Sequence, residues 1–428
     1  MKKIIMLSFV AFSFIGNAQT TTPAATTAPA EKEWDVSMYG FIRTDYIYDS
    51  RKSATVRESQ LNLYPLDAPA AGDDFNKVSS SNFLSVVSRL GAKVKGPNVW
   101  GAKMSGTLEG DFYGNTEATI GTFRLRHAFV TMDWSKTQLT MGQTWYPTFI
   151  PEVFPGVANF NTGIMFNPFG WATQVKLKHN LTKELSFALT AYKEREFAAT
   201  TSTIGTQNSA SINSSLPTFH GQFQFKNKNW IAGVGAEYKS LQPLTDFTLA
   251  PSGTKVLTSE KVNSTSVMGY FKYSNDKFSL KAYGISGSNL QSLVMIGGFV
   301  GYTAANQVEH YEATKTNAFW LDLASNGKKI APGLFFGYTS NAGTGTTAAA
   351  GDAVKYYMRG FSGTRVIDNV MRISGRVDFK QNKFRVTPEI EYTAAKWGDF
   401  NTNGDGTADL NTRNVSNVRV MVSCAYSF

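Results

Sequence analysis

The chain has one cysteine, Cys424, and four histidines in 428 residues. That excludes a disulfide framework, and it leaves almost no pool for a structural zinc site, which wants about four nitrogen or sulfur ligands. Charged residues are scarce at 17%, against about a quarter in an ordinary soluble domain. Long apolar runs are missing too. The one present, Ile4 to Ile15, falls short of the roughly 20 residues a membrane-crossing helix needs. Aromatic residues, by contrast, make up 13% of the chain, too many for a disordered protein.

The N-terminus sets the compartment. Lys2 and Lys3 form a positive start, Ile4 to Ile15 an apolar stretch, and Gly16-Asn17-Ala18 ends on a small residue. This pattern predicts a signal peptide over 1–18, cleaved near Ala18. Residues 19–35, rich in Thr, Ala and Pro, read as a flexible periplasmic lead. The chain is therefore expected to work outside the cytoplasm.

From residue 36 onward the hydropathy alternates with period two. Sixteen such segments stand at 36–48, 82–95, 101–113, 121–133, 137–145, 169–179, 183–194, 217–226, 230–240, 263–274, 277–288, 314–325, 330–340, 368–380, 383–396 and 416–428. Most exceed the usual strand of five or six residues and suit strands tilted across a bilayer, which need about 9–11. Every second connection is short and polar, as in Asn275-Asp276 and Gln381-Asn382, while the others are long and rich in Gly, Ser, Thr and Asn. An open sheet in hydrocarbon would leave edge amides unsatisfied at several kcal/mol each, so the sheet must close. The expected fold is all-β: a 16-stranded antiparallel transmembrane β-barrel over 36–428, with short periplasmic turns and long extracellular loops. Its place is the outer membrane of a Gram-negative bacterium, with lipid around the wall. On the last segment Val418, Val420, Val422, Cys424, Tyr426 and Phe428 share one face. A terminal aromatic on such a strand is what barrel-assembly machinery recognises, which makes that machinery an expected partner.

Charge assigns the faces, because Arg or Lys facing lipid near the midplane costs about 2–4 kcal/mol. Inward basic candidates are Arg43, Arg89, Lys93, Arg124, Arg126, Lys176, Arg372, Arg376, Arg385 and Arg419, with Asp45 and other acids among them. Parity leaves Arg124 and Arg126 open, since Ala128, Val130 and Met132 share their face and His127 does not look lipid-facing. Most of these basic residues fall on strands near the closing seam and are expected to form one wall. The guanidinium fork matches carboxylate and phosphate, so small anionic solutes are the expected cargo. Pairing with acids across strands is the structural alternative for the same arginines.

The connection 146–168 carries Phe149, Glu152, Phe154 and Phe160 among Ile, Val and Met. A solvated loop would not hold so much apolar surface, so it is expected to fold into the lumen as a constriction. The rim stretch with Asp399, Asn401, Asn403, Asp405 and Asp409 has calcium-loop spacing but no acid at the twelfth position, and ordinary turn chemistry accounts for it as well. No cofactor is otherwise expected. Two alternatives to a porin stand: a binding or adhesion barrel with an occluded lumen, and a rim-site hydrolase. The second is weakened by the dispersal of His127, His179, His220 and His310 and by the lack of a Gly-x-Ser-x-Gly motif. Nucleic acid has no support, because the excess charge faces inward.

Several stretches carry a resemblance: Gly40-Phe41-Ile42-Arg43-Thr44-Asp45, Ser88-Arg89-Leu90-Gly91, Leu108-Glu109-Gly110-Asp111-Phe112, Phe123-Arg124-Leu125-Arg126-His127 and Gly142-Gln143-Thr144-Trp145. In these the chain resembles the DcaP-like trimeric outer-membrane porins, most densely over 36–195. The resemblance implies a sixteen-stranded homotrimeric barrel passing small anions such as dicarboxylates. It also implies that Arg43, Arg89, Arg124 and Arg126 lie on the pore wall. Trimer contacts would then rest on small outward residues such as Ala102, Gly106 and Gly110.

Overall fold

The computed structural model describes residues 34–160, 162–195, 197 and 209–428. The expected signal peptide and most of the lead lie outside the described residues. Sixteen strands form the wall: β1 (Asp35–Asp49), β2 (Ser80–Leu84 and Arg89–Val99), β3 (Ala102–Asp111), β4 (Arg124–Asp133), β5 (Thr137–Trp145), β6 (Trp171–Asn180), β7 (Leu185–Lys193) and β8 (Thr218–Lys226), then β9 (Trp230–Leu241), β10 (Val262–Ser274), β11 (Phe278–Ser288), β12 (Lys315–Ser325), β13 (Ile330–Asn341), β14 (Arg365–Gln381), β15 (Phe384–Phe400) and β16 (Ala408–Ser427). Each pairs antiparallel with the next, and β16 pairs with β1 from Asp49↔Arg419 to Phe41↔Ser427, closing the barrel.

Alternation sets the faces as the sequence pattern requires. Ile42, Val234, Leu334 and Ile390 are more than half exposed on the lipid side, while Arg43, Asp45, Glu389 and Glu391 are buried on the inner one. At the seam Gly40 exchanges backbone bonds with Phe428. A Cβ on Gly40 would lie 2.3 Å from the Arg89 carbonyl and 2.7 Å from the Phe428 ring, so the terminal aromatic occupies space that only glycine leaves open.

The structure differs from the sequence pattern in three ways. β15 and β16 run on to Phe400 and back to Ala408, with Lys396↔Asn414 and Trp397↔Arg413 as partners, whereas the polarity of 408–415 reads as loop. Ladder bonds are made by backbone and are blind to side-chain polarity. Loops also carry their own strands: a hairpin (Ser53–Val56 and Leu61–Pro65) and a three-stranded sheet of Gly297–Thr303, His310–Ala313 and Ala353–Arg359. Finally, Ala102 is buried, and a Cβ on Gly110 would strike the Phe123 ring at 2.3 Å. Of the three small residues only Gly106 opens onto an outer concavity, of about 520 Å³.

The main apolar core lies inside the barrel. Phe149, Ile150, Val153, Phe160, Ile164, Met165, Phe166 and Phe169 pack with Leu61 and Leu63 of the first loop, Leu293 to Ile296 of the sixth, and Trp171, Trp320 and Trp397 of the wall. At about 1.5–3 kcal/mol per buried side chain, this burial offsets the entropy of ordering the loops.

Candidate functional site

The site is the lumen and the segment that crosses it. The third loop, 146–170, leaves β5 with Trp145 stacked on Phe149 at 4.1 Å and on Trp171 at 4.5 Å. Its far side is bolted to the strands around the seam. Glu389 accepts from the amides of Ala158 (2.5 Å) and Asn159 (3.0 Å), and Arg43 Nη2 donates to the Ala158 carbonyl at 2.5 Å. Arg372 donates to the carbonyls of Ile164 (2.6 Å), Asn62 (2.9 Å) and Leu63 (3.0 Å), so one guanidinium holds both the third and the first loop. Phe166 sits where Gly337 leaves room: a Cβ there would meet its ring at 2.5 Å.

The tip of the loop reaches the opposite wall. Glu152 pairs with Lys226 at 2.6 Å and accepts from Gln224 at 3.0 Å. Lys272 donates to the Glu152 carbonyl at 3.3 Å, and Lys281 to that of Phe154 at 3.0 Å. Burial works to raise the Glu152 carboxyl, yet the bonds from Lys226 and Gln224 and the charge of Lys226 more than offset it and hold the group below the usual carboxylate range. The segment therefore spans the lumen from the arginine side to the lysine side. Phe149 and Phe160 are buried in the core, whereas Phe154 and Glu152 are exposed at the tip.

The arginines expected along the pore face inward, but most do not line open space. Arg43 binds Asp45 at 2.8 Å, Arg124 binds Asp111 at 2.7 Å, and Arg126 binds both Glu109 (2.8 Å) and Asp111 (3.0 Å). Arg372 pairs with Glu391 at 3.3 Å, Arg376 with Asp322 at 2.8 Å and Arg419 with Asp49 at 2.8 Å. All six are under 9% exposed. A buried charge must be paired, and the loops that cover these residues supply the burial. Arg126 also lies over the Trp171 ring at 4.4 Å. Arg89, 3.4 Å from Glu109, keeps a fifth of its side chain exposed. Arg385 is exposed, 4.0 Å from Asp378.

A bulge explains why parity left Arg124 and Arg126 open on β4. Glu109 faces His127 and Gly110 faces Leu125, which leaves Arg126 as the extra residue. An inserted residue shifts the alternation by one. Arg124 and Arg126 thus face inward on one side of the bulge, and His127 and Thr131 on the other, while Val130 is exposed outside.

Free basic charge collects elsewhere. Among the described residues, no carboxylate lies within ion-pairing distance of Lys176, Lys178, Lys272 or Lys281. Lys226, Ile231, Lys272, Lys281 and Asp322 are successive direct partners across β8 to β12. Lys226, Lys272 and Lys281 escaped the sequence reading. The signal for Lys226 was the alternation Phe223-Gln224-Phe225-Lys226, in which the lysine continues the inward set, while Lys272 continues Met268 and Tyr270 and Lys281 shares a face with Tyr283 and Ile285. Under the loop tip they line a pocket of about 640 Å³ near the short turns. Concavities up to about 880 Å³ lie instead on the outer wall.

At the rim, Asp399 binds Arg365 at 2.9 Å and Asn411 at 2.6 Å, while Asn401 and Asp405 bond to Thr407 within the turn. Among the described residues, no three His, Cys, Asp or Glu side chains are grouped to hold a metal ion. Of the five residues of that spacing, Asp399, Asn401 and Asp405 make turn and ion-pair contacts.

The sequence profile of the family described as DcaP outer membrane protein matches residues 14–289. No curated protein matches the chain. Among solved structures, the outer membrane channel DcaP of Acinetobacter baumannii superposes with a TM-score of 0.65 at 17% identity, covering 93% of this chain and 99% of that one. The anion-selective porin from Comamonas acidovorans gives 0.54 at 12% identity, covering 92% and 100%. OmpT of Vibrio cholerae gives 0.53 at 11%, covering 93% and 99%.

Proposed function

The chain belongs to the DcaP outer membrane protein family, a porin-like channel of the outer membrane, and from that premise we propose that it passes small hydrophilic solutes by passive diffusion with a preference for anions. The observation that carries the preference is the set of inward lysines on β6, β10 and β11. Lys176, Lys178, Lys272 and Lys281 have no carboxylate within ion-pairing distance among the described residues, whereas the seam arginines are neutralised by Asp45, Asp49, Asp111 and Glu391. A charge without an ion-pair partner in a narrow passage acts on a solute; a paired charge holds the wall. Physiological salt screens it over about 8 Å, so the effect is confined to narrow zones. Dicarboxylate-like solutes fit a passage with several ammonium groups.

Assembly as a homotrimer and recognition by the barrel-assembly machinery through Phe428 belong to the same reading. Gly106 and its outward concavity offer a contact surface on β2 to β5.

The test is the reversal potential of the purified protein in a planar bilayer under a potassium chloride gradient. It is expected to shift toward the chloride equilibrium potential, and K176Q/K178Q is expected to reduce that shift. Cation selectivity of the unaltered protein would overturn the proposal.

A further inference from the structure

We propose that Lys272 and Lys281, with Lys226, form a binding station for a small dianion on the periplasmic side of the third loop, and that Glu152 is the internal carboxylate this dianion displaces. The proposal rests on the anion-channel reading and adds a site and an occupant to it.

Lys272 and Lys281 stand directly opposite each other on β10 and β11. Like charges so placed are destabilising in a sheet, so the pair costs stability unless an anion joins it. Asp322, the partner of Lys281 on the next strand, is already committed to Arg376 and to the Gly156 amide. Each of the two ammonium groups has three donors, and each gives one bond to a loop carbonyl. The rest of their capacity faces the pocket.

That pocket, about 640 Å³, is within the size range of small-molecule sites. Four ammonium groups line it, Lys226, Lys228, Lys272 and Lys281, against two carboxylates, Glu152 and Asp276. With Glu152 displaced, the four ammonium groups face Asp276 alone, a surplus that a dianion meets better than a monoanion. Glu152 already shows how a carboxylate is received, on Lys226 at 2.6 Å and Gln224 at 3.0 Å. Both members of that ion pair are about half exposed. The bonds that fix the loop to the opposite wall are buried. The tip can therefore yield locally while the rest of the loop stays anchored.

The experiment records block of potassium chloride current through the purified full-length protein by malonate added to one chamber, then by inorganic phosphate. Malonate is expected to block in a concentration-dependent way, more strongly from the periplasmic side. K272Q/K281Q should weaken that block about ten- to a hundredfold, as loss of charge-assisted hydrogen bonds implies. E152Q, which removes the competitor, should strengthen it several-fold, a gain that misfolding cannot produce. Equal block by phosphate would place the recognition in dianionic charge, and block by malonate alone in the dicarboxylate. Malonate block unchanged in K272Q/K281Q, while the unaltered protein is anion-selective, would overturn the station and leave the anion-channel reading standing. Cation selectivity in the unaltered protein would remove both.

Discussion

Replacing Arg372 separates an arginine that carries solute from one that braces the loops. The side chain is 1% exposed, and its fork serves Ile164, Asn62 and Leu63 on two loops while Nε faces Thr393 and Glu391. Alanine would leave Glu391 without its ion-pair partner, holding only its bonds from Asn62, Asn159 and Thr393, and three carbonyls without their donor. Breaking a buried pair from one side costs about 3–5 kcal/mol, which at 1.4 kcal/mol per decade is about a hundred- to a few thousandfold in a local opening equilibrium. The assay is amide exchange by mass spectrometry over 61–66 and 158–167, where Phe166 and Asn167 bond to the Gly163 carbonyl. R372A should exchange faster there by that factor, with noisier and larger single-channel currents. Because R372A also adds a net negative charge to the lumen, R372A/E391Q serves as the charge-balanced control; it should keep the reversal potential while the loops still open. Unchanged exchange in both peptides would refute the bracing role.

Two further outcomes follow from the same geometry. The depressed Glu152 carboxyl, set by burial opposed by Lys226, Gln224 and Lys178, keeps its contact above the ordinary glutamate value and loses it only as pH falls through the lowered one. The difference in conductance between the unaltered protein and E152Q should thus persist from pH 7 down to the ordinary glutamate value of about 4.3 and disappear below it; a difference that is lost well above that value contradicts the assignment. Gly337→Ala should push the Phe166 ring and destabilise the loop packing by about 1–3 kcal/mol. That would be read as earlier thermal loss of the compact form in detergent, with partial restoration in G337A/F166L.

The inward arginines show how far local pattern reaches. Arg43 and Arg419 could be placed inside from period two alone, since alternation is a property of neighbouring residues. Their partners could not. Arg419 meets Asp49 across the closure, at a separation of 370 residues, and only the register of the closed sheet brings the two together. Burial was hidden for the same reason: Leu61, Asn62 and Leu63 looked like external loop, yet Asn62 donates to Glu391 at 2.8 Å inside the barrel.

Composition, alternation and unequal connections by themselves determined a sixteen-stranded barrel, its inner and outer faces and the apolar third loop, because each of these follows from residues a few positions apart. The tertiary structure decided which charges are spent and which are free. Ion pairing depends on shear, closure and loop insertion, and a single inserted residue at Arg126 reverses parity beyond it. The arginines at the seam therefore have carboxylate partners, while Lys176, Lys178, Lys272 and Lys281 on the opposite side have none within ion-pairing distance among the described residues.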